Sequence, residues 1–86
     1  VVYTIIIATL TTQLAIHMNR IKEVLNDKGI KQTWLAEKLE KSFNMVNEYC
    51  NNRRQPSLED LNKIAEILDI DVRKLLVSNK TEEDEV

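Results

Sequence analysis

Residues 31–54, KQTWLAEKLEKSFNMVNEYCNNRR, constrain the fold of this chain more than any other stretch. Leu35, Ala36 and Leu39 recur at helical spacing, stop at a short polar break, and the spacing resumes with Val46 and Tyr49. Apolar residues three and four apart share one face of a helix, so the pattern predicts two short helices joined by a tight turn. Ala36 is small enough to let the two helices cross closely.

Such a pair needs a core from the rest of the chain. Once an uncharged start and an acidic end are set aside, about 60 of the 86 residues remain, near the lower limit for independent folding. One Gly, one Pro, few aromatic residues and repeated Leu and Ile at spacings of three and four favour an all-α domain over a sandwich or barrel. A sheet would need more turn residues.

Residues 1–17, VVYTIIIATLTTQLAIH, carry no Lys, Arg, Asp or Glu. Four readings are open. A membrane helix needs roughly 20 apolar residues, and Thr11, Thr12, Gln13 and His17 interrupt this stretch. A secretory signal needs a positive n-region and a small-x-small cleavage site, which it lacks. As folded structure, residues 1–10 suit a β-branched strand seeking an edge, while Leu14, Met18, Ile21 and Leu25 continue a helical stripe that would start the first helix near Thr12 under a threonine cap. In the fourth reading Met18 is the natural first residue and the upstream stretch is an appendage. The expected organisation is an apolar extension over 1–17, a folded domain over 18–78 and an acidic disordered tail over 79–86.

Within the domain, Ile21, Val24 and Leu25 lie on one helical face, and Gly29 supplies the left-handed residue that ends a helix, with Ile30 closing the cap. Gln32 opens the second helix. Ser42 is placed to cap a third helix over about residues 43–50, with Val46, Tyr49 and Cys50 inward and Phe43, Asn44, Asn47 and Glu48 outward. A polar loop, NNRRQP, follows. Ser57 caps the next helix with Asp60 three residues on, and Leu58, Leu61, Ile64, Ala65 and Leu68 form its apolar face. Asp71 then caps a last short helix whose Leu75 and Leu76 pack back on the core.

There are 12 Lys and Arg against 14 Asp and Glu, but Glu82, Glu83, Asp84 and Glu85 form one terminal run, and without it the balance is 12 against 10. A near-neutral domain can bind a polyanion only through a localised basic face. Cys50 is the only cysteine and His17 the only histidine, so no disulfide framework, zinc site or Cys/His dyad is available, and a reducing cytoplasm suits the chain. Cys50 reads as a packing residue. With no phosphate-cradling Gly-rich loop and no metal or other cofactor ligands, enzymatic chemistry is not expected.

Taken together, Gln32, Leu35, Ala36 and Leu39, then Val46 and Tyr49, the NNRRQPS loop and the closing LNKIAEILDIDVRKLL resemble the Cro and phage-repressor (XRE-like) helix-turn-helix DNA-binding domains over residues 18–77. The resemblance implies a compact five-helix, lambda-repressor-like fold with the motif at helices 2 and 3. Two departures stand at the turn: Glu40 replaces the usual Gly and Lys41 the usual apolar residue. A left-handed Glu40 would cost on the order of 1 kcal/mol relative to Gly.

By that resemblance, the function is sequence-specific binding of double-stranded DNA by a repressor-like transcriptional regulator, with residues 43–50 in the major groove. Phe43, Asn44, Asn47 and Glu48 would read bases, and Gln32, Ser42, Lys41, Arg53 and Arg54 would contact phosphate. Phe43 has an alternative role packing over the turn and Glu48 one as an ion-pair partner of Lys41 or Arg53, while a half-buried Trp34 packs at the core edge or contacts DNA or a partner. A homodimer on a palindromic operator is implied, with half-sites about one helical turn apart. The alternative function is an antitoxin or adaptor module whose main partner is a protein.

Overall fold

The computed structural model describes residues 17–79. Among the described residues four α-helices follow one another: α1 (Ile21–Lys28), α2 (Gln32–Leu39), α3 (Phe43–Cys50) and α4 (Leu58–Leu68). A single 3-10 turn, Val72–Leu75, ends the run. The apolar stripes converge on one core formed by Ile21, Val24 and Leu25 of α1, Leu35, Ala36 and Leu39 of α2, Val46, Tyr49 and Cys50 of α3, Leu61, Ile64, Ala65 and Leu68 of α4, and Leu75. These residues are the period-3.6 faces of their helices, which is why the class is all-helical.

The expected fifth helix is only a 3-10 turn. Asp71 caps it, its Oδ1 accepting from the Arg73 backbone N–H at 2.8 Å. The Leu75 carbonyl then accepts from the Arg20 N–H at 2.8 Å, and the Val77 N–H donates to the Met18 carbonyl at 3.0 Å. Backbone groups that would continue a helix are used instead in an isolated antiparallel bridge between Asn19 and Leu76. Leu75, the last residue of the 3-10 turn, is fully buried, while Leu76, extended in the bridge, is exposed, contrary to the expectation that both pack inward.

The same bridge corrects the start of the first helix. Residues 18–20 are not helical, α1 begins at Ile21, and Met18 lies outside the helical stripe with its side chain exposed. The proposed Thr12 cap, the readings of residues 1–16 as strand, signal or membrane segment, and the acidic tail over 80–86 lie outside the described residues. No described helix is long and apolar enough to cross a membrane. A further correction concerns Leu58, on the first turn of α4, which is 84% exposed and no part of the core.

Each of the four helices is followed by a residue in the left-handed conformation: Gly29 (φ 68°), Glu40 (φ 58°), Asn52 (φ 57°) and Asp69 (φ 55°). The next N–H in each case reaches back five residues, Ile30 to Leu25, Lys41 to Ala36, Arg53 to Glu48 and Ile70 to Ala65, at 2.9–3.0 Å. This closure satisfies carbonyls that the helix end leaves without partners. Only Gly29 is free of steric cost in this region. For Asn52 and Asp69 the penalty is reduced, whereas Glu40 bears on the order of 1 kcal/mol.

Candidate nucleic-acid interface

α2, the turn over residues 40–42 and α3 form one rigid angle. Ser42 Oγ accepts from the Met45 N–H at 3.1 Å, capping α3 and satisfying one of its first-turn donors. Ser57 caps α4 in the same way through the Asp60 N–H, but the Asp60 carboxylate does not complete a capping box. It turns instead to Lys41, 3.4 Å away, and is itself largely shielded from solvent. The unusual lysine at the turn thus ties the motif to α4.

With Val46, Tyr49 and Cys50 buried, α3 turns Phe43, Asn44, Asn47, Glu48 and Asn51 outward. Phe43 is 47% exposed and Asn44 exposed, with no side-chain hydrogen bond to Asn44 among the described residues. Asn47 is occupied on both ends: its Nδ2 donates to Gln32 Oε1 at 2.9 Å, and its Oδ1 accepts from Asn51 Nδ2 at 3.2 Å. Asn51 Nδ2 also reaches the Asn47 carbonyl at 3.0 Å. These bonds link the first residue of α2 to the far end of α3.

The loop after α3 is held from beneath by two buried asparagines. Asn52 Oδ1 accepts from the backbone N–H groups of Met18 and Asn19, both at 2.8 Å, and from Gln55 Nε2 at 3.1 Å. Its Nδ2 donates to the Asn19 carbonyl at 3.1 Å. Asn19 in turn donates to the Tyr49 carbonyl at 2.9 Å and to Gln55 Oε1 at 2.8 Å, and its Oδ1 accepts from the Ile21 N–H at 3.0 Å. Among the described residues no buried side-chain nitrogen or oxygen lacks a partner. Reading the sequence as a polar loop misses this clamp. The available signal is a pair of asparagines directly after a helix, where Asn tolerates positive φ.

The clamp fixes the backbone that carries Arg53 and Arg54. Arg54 Nε lies 3.0 Å from Glu48 Oε2, so the carboxylate on the outward face of α3 has its own counter-charge, and Arg54 is the partner rather than Lys41 or Arg53. Both groups are well exposed, and screening holds such a pair to about 1 kcal/mol or less. Arg53 is exposed and its guanidinium has no ion pair or hydrogen bond among the described residues; the Lys31 ammonium beside α2 is likewise unpaired. On the outer side of α2, the Lys38 ammonium sits 5.6 Å from the Trp34 ring centroid, over a side chain 40% exposed. Burial pushes the Cys50 thiol up to about 11, which keeps it protonated at neutral pH and unsuited to nucleophilic work. Among the described residues no group of three or more His, Cys, Asp or Glu could hold a metal ion.

The helix-turn-helix family model matches residues 21–75, from the first residue of α1 to the last of the 3-10 turn, which is more than half of the chain. The chain belongs to the XRE-type helix-turn-helix family. Two solved structures resemble this helix-turn-helix protein closely. A crystal structure described as that of "a putative DNA-binding protein" from Bacteroides fragilis is 47% identical, with TM-score 0.69, over 70% of this chain and 97% of that one. The N-terminal DNA-binding domain of SinR from Bacillus subtilis is 30% identical, with TM-score 0.60, over 72% of this chain and 91% of that one. A comparison with curated proteins returns no match.

Within this helix-turn-helix domain, Glu40 and Lys41 stand at the turn between α2 and α3. Glu40 takes the left-handed conformation at φ 58°, and Lys41 forms an ion pair with Asp60 of α4.

Proposed function

We propose that this protein is a small transcriptional regulator that binds double-stranded DNA sequence-specifically and acts as a repressor. In this reading α3 enters the major groove, presenting Phe43, Asn44, Asn47 and Glu48. Gln32 and Ser42 at helix N-termini, with Lys41, Arg53 and Arg54, seat the motif on the phosphates. The observation that carries the reading is the outward face of α3, polar apart from Phe43, held at a fixed angle to α2 and ending at an unpaired Arg53. Membership of the helix-turn-helix family and likeness to two proteins described as DNA-binding support it.

No Lys or Arg lies between Phe43 and Asn52, so the α3 face has no guanidinium or ammonium for guanine O6 and N7. The preferred half-site is accordingly one recognised through amides, a carboxylate and an aromatic edge, with adenine, cytosine and thymine methyls as the matching groups. A homodimer on a palindromic operator in the cytoplasm completes the reading. In-vitro site selection with the purified chain tests it: the expected outcome is a defined, two-fold symmetric sequence. Binding of equal strength to all sequences, falling only with salt, would overturn it.

That second outcome would favour an antitoxin or adaptor module whose main partner is a protein. The observation on its side is the exposure of three apolar residues, Met18, Leu76 and Val77, where the bridge joins the two ends of the domain.

A further inference from the structure

Four outward residues on α3 are treated alike by their direction, yet their bonding separates them. An amide reads adenine through two hydrogen bonds at once, its NH2 giving to N7 and its oxygen accepting from N6–H. Such a side chain must have both ends available. Asn44 has both. In Asn47 each end already carries a bond to the protein: its Nδ2 gives one hydrogen to Gln32 Oε1 at 2.9 Å and its Oδ1 accepts from Asn51 Nδ2 at 3.2 Å, so the plane and direction of the amide are set by α2 and by Asn51. To turn this amide toward a base, Asn47 would give up bonds to Gln32 at the start of α2 and to Asn51 just past α3.

We infer that Asn47 is a positioning residue, its amide linking Gln32 on α2 to Asn51 at the end of α3, and that Asn44 carries the amide readout of the half-site. The inference rests on the DNA-binding reading above and divides the roles within its site. The link has a direction. Because Gln32 Oε1 accepts from Asn47, the Gln32 NH2 group is left to donate away from α3, at the start of α2 where the unpaired Lys31 also stands. Asn47 thereby sets the orientation of Gln32 against α3, without touching a base itself. Asn51 completes the arrangement by holding the Asn47 oxygen, so rotation of the Asn47 amide is opposed at both ends.

The test uses the full chain and the sequence it selects, with a panel of single-base variants of that sequence read by fluorescence anisotropy. Asn44→Ala is expected to lose discrimination at one base pair of each half-site, about tenfold or more, while its affinity for sites already altered there changes little. Asn47→Ala is expected to weaken every member of the panel by one common factor, about fivefold, and to leave their order intact. Gln32→Ala breaks the link from the other end and stands in for Asn47→Ala should that variant fold poorly. The double variant should bind no more weakly than the weaker single, as residues acting through one bond require. A side chain needed only for folding would shift the thermal midpoint and leave affinity, measured well below it, unchanged. Gln32→Glu checks the direction of the bond without DNA: a carboxylate still accepts from Asn47, so its thermal midpoint should exceed that of Gln32→Ala.

A loss confined to one base pair on Asn47→Ala, an unchanged affinity, or losses that multiply in the double variant would each overturn the inference while leaving the DNA reading intact. A wild-type chain that selects no sequence overturns the DNA reading itself.

Discussion

Replacing Asn52 tests the clamp that holds the recognition loop, because this one side chain serves two separable purposes. Its oxygen accepts three hydrogen bonds and its nitrogen gives a fourth, to backbone groups 33–34 residues away and to Gln55. Its backbone meanwhile sits at φ 57°. In Asn52→Ala the buried Asn19 N–H is left without a partner, at about 1–3 kcal/mol, while the Met18 N–H is only part-buried and recovers water. Alanine at positive φ adds about 1 kcal/mol over asparagine. The sum, about 3 kcal/mol, is a large fraction of the roughly 5 kcal/mol a domain of this size can command. It corresponds to a fall in thermal midpoint of about 15 °C.

Asn52→Gly separates the two terms. It loses the same hydrogen bonds but adopts the left-handed backbone freely, so it should be more stable than Asn52→Ala by about 1 kcal/mol despite having fewer atoms to pack. Urea titrations followed by far-ultraviolet circular dichroism give all three stabilities, and similar slopes would establish that the denatured states are comparable. An alanine variant as stable as the glycine variant would refute the backbone argument. A glycine variant within about 0.5 kcal/mol of wild type would refute the hydrogen-bond argument.

Glu40→Gly should raise stability by about 0.5–1 kcal/mol in the same titration, since Glu40 sits at φ 58° and its carboxylate has no ion pair or hydrogen bond among the described residues; a loss would contradict the strain argument. The Cys50 thiol, raised by burial to about 11 from an ordinary 9.0, adds stability that is complete below pH 9 and fades as pH climbs toward 11, so the urea midpoint should fall between pH 8 and pH 10.5 in wild type and fall less in Cys50→Ala. At pH 8 a thiol reagent should label Cys50 only through unfolding, and immediate labelling of the native protein would refute its burial. Asp71 has its carboxyl held down to about 2 from 3.8, first by the Arg73 side chain and then by the Arg73 N–H, so its contribution is present above pH 4 and lost as pH falls toward 2. Asp71→Asn should accordingly flatten that part of the acid-unfolding curve relative to wild type.

The core was legible because it is written in local periodicity. Leu35, Ala36, Leu39, Val46, Tyr49, Leu61, Ile64, Ala65 and Leu68 recur at helical spacing, and each is buried. Ser42, Ser57 and Asp71 were legible as caps because a cap answers to N–H groups two or three residues away. The errors fall where the decisive partner is distant. Leu76 and Leu58 satisfy the apolar pattern, but an extended bridge to Asn19 turns one outward, and the other, at the start of α4, is left in solvent. The expected fifth helix gives way to a 3-10 turn because Leu75 and Val77 bond to residues 18–20, more than 50 positions earlier.

The sequence by itself determined an all-helical domain, the helices over residues 32–39 and 43–50 with the turn between them, and which side of each faces the core. These depend on spacings within one or two turns, which neighbouring residues dictate whatever surrounds them. Only the tertiary structure decided how the polar groups are spent: Asn19 with Asn52, Gln32 with Asn47, Lys41 with Asp60, and Glu48 with Arg54. Several side chains were in reach of each of these groups in principle, and the choice is made by helix crossing angles that the packed core sets. A buried amide must find a partner, but which partner it finds is a property of the assembled fold.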